Sequence, residues 1–331
     1  MKEILRKLAP IAGYPVFFVA TFFIFFMWTF PFNKMKDRLE GAFAAQQRST
    51  STPQELKIDE LSSYWITGVS ATGVHLYTQS TEPGKAPTEL KIDRIRGRLS
   101  VLGLLLFNKN ISYRIDAFGG VIDGIFEDHG KVRNIDVNFD GVDVLQVPLI
   151  TEQLGVPIEG KLYGSISFVL PEGRASKGNG KLNLELRDVA VGDGKAKLKG
   201  LLALPRMAIG NITIEGEAKD GILKISKVAA GGQDVELAGD GRIQMKELAT
   251  DAGLDVNVKF KINDGYRKKS DATKSIFGEP GSKIPPLFEA DSKVLKSKTQ
   301  DGFYQFHVRG QLGRPDFQPA PTAIIGKSTT P

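Results

Sequence analysis

From residue 54 onward the chain is written in a period of two. Leu182, Leu184 and Leu186 alternate with Lys181, Asn183, Glu185 and Arg187, and Ile212 and Ile214 alternate with Asn211, Thr213 and Glu215. Val256, Val258 and Phe260 alternate with Asp255, Asn257, Lys259 and Lys261, and Ile135, Val137 and Phe139 with Asp136, Asn138 and Asp140. Successive side chains of a strand point to opposite sides, so each set predicts a strand with one dry and one wet face, the pattern of antiparallel sheet. Turn signals punctuate the pattern: Asp123–Gly124, Gly192–Asp193–Gly194, Asp220–Gly221, Gly231–Gly232 and Gly239–Asp240–Gly241. The stretch from Ala218 to Ser226 reads as a hairpin.

The opening of the chain follows a different rule. Ala9 to Phe32 is a run of 24 residues without a charge. As a helix it is about 36 Å long at about 1.5 Å per residue, enough to cross a hydrocarbon core of about 30 Å. Tyr14, Phe17, Phe22, Phe25 and Trp28 are its expected membrane-contacting side chains, with Tyr14 and Trp28 near the two interfaces. A cleaved signal would have a shorter apolar core followed closely by its small-residue site. Here Ala42–Phe43–Ala44 is separated from the run by Lys34, Lys36, Asp37, Arg38 and Glu40, which favours an uncleaved anchor. Lys2, Arg6 and Lys7 before the run balance Lys34, Lys36 and Arg38 after it, so charge alone does not orient the segment.

The resulting map has a cytoplasmic tail over 1–8, a transmembrane helix over 9–32, and an amphipathic stalk and linker over 33–53. Met35, Leu39 and Phe43 recur there at helical spacing. A β-rich domain follows over 54–318, with a polar insertion at about 264–301 and a disordered tail over 319–331. Helix signals inside the domain are few: Ala272 to Phe277, Pro286 to Lys296, the short Pro148 to Leu154, and the dense apolar run Leu99 to Phe107, expected to cap the sheet or be buried in it. An amphipathic sheet must be covered by helices or by another sheet, or curl over itself. With so few helices the choice lies among a sandwich, a barrel and a trough. Even strand spacing favours a mainly β fold in which one elongated, curled antiparallel sheet forms a trough. Its candidate apolar groove consists of Leu182, Leu184, Leu186, Ile212, Ile214, Val256, Val258 and Phe260.

Composition removes alternatives more than it adds them. The chain has no cysteine, so disulfides and thiol chemistry are excluded. Net charge is +6 over 331 residues. The basic clusters Lys195, Lys197, Lys199 and Arg267, Lys268, Lys269 lack interleaved aromatics, which argues against nucleic acid. The first alternates like the solvated face of a strand; the second is expected in a polar loop. Asp136 to Gly141 matches the first half of an EF-hand loop, but Val147 stands where the bidentate Glu should be. Gly68 to Thr72 misses a nucleophile elbow for want of its last Gly. His75, His129 and His307 are scattered, each on or beside a predicted strand. No catalytic residue, cofactor site or metal site is assigned, and the chain is read as a non-enzyme.

The order of segments is more informative than any one of them. The anchor is followed by ELSSYWITGVSATGVHLYT and IDRIRGRLSVLGLLLFNKNISYRIDAFGGVIDGIF. Later come VPIEGKLYGSISFVL, GILKISKVAAGGQDVELAGDGRIQM and FYQFHVRGQLGRPDFQP. This series resembles the GspN family of type II secretion system proteins and the wider AsmA-like group. The resemblance implies a single-pass protein of the bacterial inner membrane with its bulk in the periplasm. It implies a non-enzymatic accessory component of type II protein secretion, whose partners are the membrane and other secretion components. The alternative is an AsmA-like lipid-binding or lipid-transfer module between the inner and outer membranes, with lipid as its ligand. A dry face closed by a second layer would favour the first; an open trough would favour the second.

Overall fold

The computed structural model describes residues 14, 17–18, 21–22, 24–25, 29–47, 53–65, 67–79, 87–100, 109–147, 156–195, 197–198, 202–282 and 284–320. Trp28, most of the 9–32 run, Val101 to Phe107, Pro148 to Leu154 and the tail from 321 lie outside the described residues. The first described element of continuous helix is α1 (Phe32–Gln47). The strands are β1 (Gln54–Tyr64), β2 (Gly68–Thr78), β3 (Thr88–Leu99), β4 (Lys109–Ala117), β5 (Gly120–Asp128), β6 (Val132–Asp143), β7 (Ile158–Pro171) and β8 (Asn179–Val191). Then follow β9 (Lys197–Leu198), β10 (Leu202–Ala203), β11 (Met207–Lys219), β12 (Ile222–Gly231), β13 (Val235–Gln244), β14 (Gly253–Ile262), β15 (Tyr304–Gln311) and β16 (Arg314–Pro319).

Fourteen of these strands form one antiparallel sheet in sequence order, with only β9 and β10 set apart as a two-stranded hairpin. Each inner strand of the sheet pairs with the sheet strands before and after it, β8 passing directly to β11. Tight two-residue loops make three of these connections, at 118–119, 220–221 and 312–313, and longer segments make the rest. Phe118–Gly119 and Asp220–Gly221 each join paired strands through two residues of positive φ, the requirement of a type I′ hairpin loop. The mainly β class read from the alternation is therefore observed.

Two of the sequence's turn signals are not turns. Gly124 lies inside β5 and the Gly239–Asp240–Gly241 triplet inside β13. A Cβ at Gly124 would stand 2.0 Å from the Asp136 carbonyl oxygen and 2.7 Å from the Tyr113 hydroxyl. These glycines mark close approach of a neighbouring strand, the second common reason for Gly in a sheet.

The sheet's two edges are blunted differently. Along β1 lies α1, whose partly covered stripe of Phe32, Met35, Lys36, Glu40, Phe43 and Gln47 follows helical spacing while Leu39 is exposed. The Ile58 N–H donates to Glu40 Oε1 at 2.8 Å, so a carboxylate occupies a main-chain position that another strand could otherwise claim. At the opposite edge, the Ala320 N–H donates back to Gln305 O, which leaves the nitrogens of Pro315, Phe317 and Pro319 on the outer side. Two of those three carry no hydrogen.

The polar insertion is a folded cap. It contains α2 (Asp264–Arg267), α3 (Asp271–Phe277), a 3₁₀ turn (Leu287–Ala290) and α4 (Ser292–Ser297). A capping box between Ser270 and Thr273 starts α3, and Gly278 at φ 76° ends it. Asp291 caps α4 by accepting from the Lys293 N–H. The cluster Arg267–Lys268–Lys269, expected in a loop, sits instead at the end of α2. The Arg267 Nε–H donates to the Phe277 and Gly278 carbonyls, and the Lys269 ammonium donates to Arg206 O and lies 3.7 Å from Asp234. Arg267 thus ties the insertion to itself and Lys269 ties it to the segment entering β11, while Lys268 is exposed.

Candidate functional site

Register alone traces a line of side chains across the whole sheet. Leu61 pairs with Ala71, and the line continues through Ile95, Ile115, Ile122, Phe139 and Gly164. It then passes Leu184, Ile214, Val228, Gly239, Val258, Phe306 and Pro319. All fourteen strands contribute, and no position is polar. The adjacent row runs from Ser63 through Val69, Gly97, Tyr113, Gly124, Val137 and Ile166, then Leu182, Gly216, Ile225, Gly241, Val256, Val308 and Phe317. Here four glycines are interspersed among bulky residues, and Tyr113 folds over Gly124. Small residues between large ones let neighbouring side chains lean into the gaps.

The other side is the inverse. Ser62, Ser70, Arg96, Arg114, Asp123, Asn138, Ser165, Asn183, Glu215 and Lys227 form one continuous polar row. Ions on this side pair across and along strands, as in Arg96–Asp116 at 2.8 Å and Arg187–Glu185 at 2.7 Å. His75 meets Glu89 at 2.6 Å and holds that carboxyl below its ordinary range, chiefly through the hydrogen bond. His307 pairs with Asp255, and His129 lies beside Glu127. A groove of about 950 Å³ opens on this face between Lys224, Asp240, Arg242, Asp255, Lys259 and His307. Among the described residues no three His, Asp or Glu side chains gather as a metal site.

All eight candidate groove residues lie on the dry side, but not in one environment. Leu184 faces Ile214 in the row that Val258 continues, Leu186 faces Ile212 in the row that reaches Phe260, and Val256 lies on the row of Leu182. Leu182 and Ile214 pack on the buried cluster Ala218, Leu223 and Ile225. Phe260 stands apart. Phe288 of the insertion lies edge-on to it at 6.3 Å, and Tyr304 stacks on it at 5.4 Å. Beside it, Met207, Val235 and Ile262 are sealed by Tyr266, Ile276 and Phe277. The insertion therefore closes the dry face at one end of β11–β15, and Phe260 belongs to that lid. Elsewhere most dry-face side chains are half-buried, with Leu61, Ile225 and Val308 buried and Phe317 exposed, under no second sheet among the described residues.

The sealing residues Tyr266, Phe277 and Phe288 were not singled out by alternation, because they lie on helical turns inside a stretch of polar composition. The helix signals at Ala272 to Phe277 and Pro286 to Lys296 cover Phe277 and Phe288, and Tyr266 lies outside both. Glu289 was also missed: its side chain is 8% exposed, accepts from the Tyr304 hydroxyl at 2.8 Å and pairs with Lys298 at 2.6 Å.

Of the expected anchor residues, Tyr14, Phe17, Phe22 and Phe25 have helical backbone and are exposed, and Trp28 lies outside the described residues. Among the described residues no helix is long and apolar enough to cross a membrane. No protein-family model, curated protein or solved structure matches the chain.

Proposed function

We propose that this protein is a membrane-anchored, non-enzymatic lipid carrier of the AsmA-like kind, in which the dry face of a curled sheet shields acyl chains. The observation that carries this reading is the uncharged row from Leu61 to Pro319, half-buried over most of its course. Its fourteen strands, at about 4.8 Å between neighbours, give an apolar strip about 60 Å long. A half-buried apolar strip of that length, under no second sheet among the described residues, still leaves apolar surface in water and calls for an occupant. Acyl chains suit it, since they need no hydrogen-bond partners and tolerate sliding.

The second reading, an accessory role in type II secretion in the inner membrane, is supported by the segment order that resembles the GspN family. The two differ in what the strip holds. The test is native mass spectrometry of a detergent-free fragment beginning at Phe32, with Val258→Glu and Lys259→Glu beside the parent. The carrier reading expects co-purifying phospholipid in the parent and in Lys259→Glu, lost in a folded Val258→Glu. Absence of lipid from every sample, with capture of other secretion components, would leave the accessory reading in its place.

A further inference from the structure

The direction of α1 decides which end of the sheet approaches the membrane. Glu40 accepts from Ile58, the Lys36 ammonium donates to Asp59 O at 3.4 Å, and Gln47 leads through residues 48–53 into Gln54. The helix is therefore antiparallel to β1, and Phe32 lies toward the Tyr64 end. The chain thus enters α1 from that side. The rim there is made of the β1–β2 turn and the end of β3, stitched together where the Leu99 N–H donates to Thr67 O and the Thr67 hydroxyl donates to Leu99 O at 2.6 Å.

Two features of this rim lack an internal explanation. Trp65 sits at the turn in a left-handed conformation, φ 54°, yet is 70% exposed. A bulky residue is disfavoured at such a φ and gains nothing here from packing. Behind it, the wet face of β1–β4 carries Arg94, Arg96, Arg98 and Arg114 against Glu60 and Asp116. Arg96 and Arg114 are directly opposed, although like charges in register repel. Asp116 answers both, at 2.8 and 3.3 Å. Arg94 and Arg98 are exposed and have no partner among the described residues, and the buried Arg96 Nε has none either.

We infer that this rim docks on the surface of the membrane that holds the anchor, with Trp65 at the interface and Arg94 and Arg98 on the phosphates of anionic phospholipids. Indole rings partition to the headgroup level, and guanidinium groups pair with phosphate oxygens in forked geometry. Docking brings the first strands of the apolar strip to the bilayer, where an acyl chain could enter. The inference rests on the reading of residues 9–32 as an anchor.

The test uses the full chain with Trp28→Phe, which leaves Trp65 as its single tryptophan. It is reconstituted in vesicles of phosphatidylcholine, alone or mixed with phosphatidylglycerol, containing a lipid brominated near the carbonyl end of its chains. Expected are a blue-shifted and quenched Trp65 in the anionic vesicles at low salt, reversed by high salt. Arg94→Glu with Arg98→Glu should lower the ratio of docked to undocked protein at least about thirtyfold, the effect of two surface charges. Lys181→Glu, an exposed reversal on distant β8, should leave the signal in place; its loss there too would overturn a local site. Extraction of the chain by alkaline carbonate would overturn the anchor beneath the inference. A retained chain with Trp65 still in water would overturn the docking alone.

Discussion

The hydroxyl of Tyr266 donates to the carbonyl of Pro205 at 2.5 Å, from a side chain with no exposed surface. This bond joins the insertion to the segment entering β11, 61 residues earlier. Tyr266→Phe keeps the ring but leaves the part-buried carbonyl without its donor, so it should cost about 1–3 kcal/mol. Urea unfolding monitored by circular dichroism measures the loss.

The same residue predicts alkaline sensitivity. Burial first, and then the charge of Asp234, push the Tyr266 phenol well above its ordinary range; burial and Glu289 do the same to Tyr304. Above about pH 10 the unfolded chain releases these protons while the folded chain retains them, so stability falls as pH rises. Melting temperatures across that range should fall less steeply in Tyr266→Phe than in the parent.

Glu40 should act as an edge cap. Glu40→Ala removes the acceptor of the Ile58 N–H, a charge-assisted bond of about 1.5–3 kcal/mol. Hydrogen exchange at Ile58 should accelerate, with little change at Val308 in β15. A fragment starting at Gln54, lacking all of α1, should aggregate more readily than one starting at Phe32.

The β16 edge offers the complementary experiment. Pro315→Thr with Pro319→Thr restores two outward N–H donors. Sedimentation of a fragment from Phe32 to Ala320 should then show concentration-dependent association absent from the parent. Unchanged monomer at high concentration would refute the idea that the prolines terminate the sheet.

Gly124→Ala should be poorly tolerated although it lies on an apolar face. Its Cβ would meet the Asp136 carbonyl oxygen at 2.0 Å and the Tyr113 hydroxyl at 2.7 Å, so strands β5 and β6 must separate. A cost of about 1–3 kcal/mol is expected. Gly97→Ala, with nothing within 4 Å of the added carbon, should change the melting temperature little and serves as the control.

The alternation of leucine with charge in β8, or of valine with Asp255, Asn257 and Lys259 in β14, was enough to declare strands and sort their side chains into a dry and a wet set. A period of two is a local property, fixed by backbone geometry before any partner strand is chosen. The Asp220–Gly221 hairpin was equally legible, because both loop residues must adopt positive φ and few residue pairs do so easily. Gly124 and Gly239–Asp240–Gly241 misled for the same reason in reverse. A glycine in a turn and a glycine under a neighbouring tyrosine are identical as letters.

Register is what the sequence left open. Leu184 faces Ile214 and Val258 faces Phe306 only because each strand settles against its neighbour with one offset, and that offset is set by pairing across the sheet. The continuity of the strip from Leu61 to Pro319 is a sum of thirteen such offsets, none written in any one segment. The fate of the polar insertion was likewise a tertiary decision. Tyr266, Phe277 and Phe288 are too sparse to signal a core by themselves, and become one only when Phe260 and Tyr304 supply the surface they cover. The sequence alone determined that the chain would form amphipathic strands, because side-chain period is local. Which dry residues stay open and which are sealed was decided by tertiary structure, because burial depends on what lies opposite.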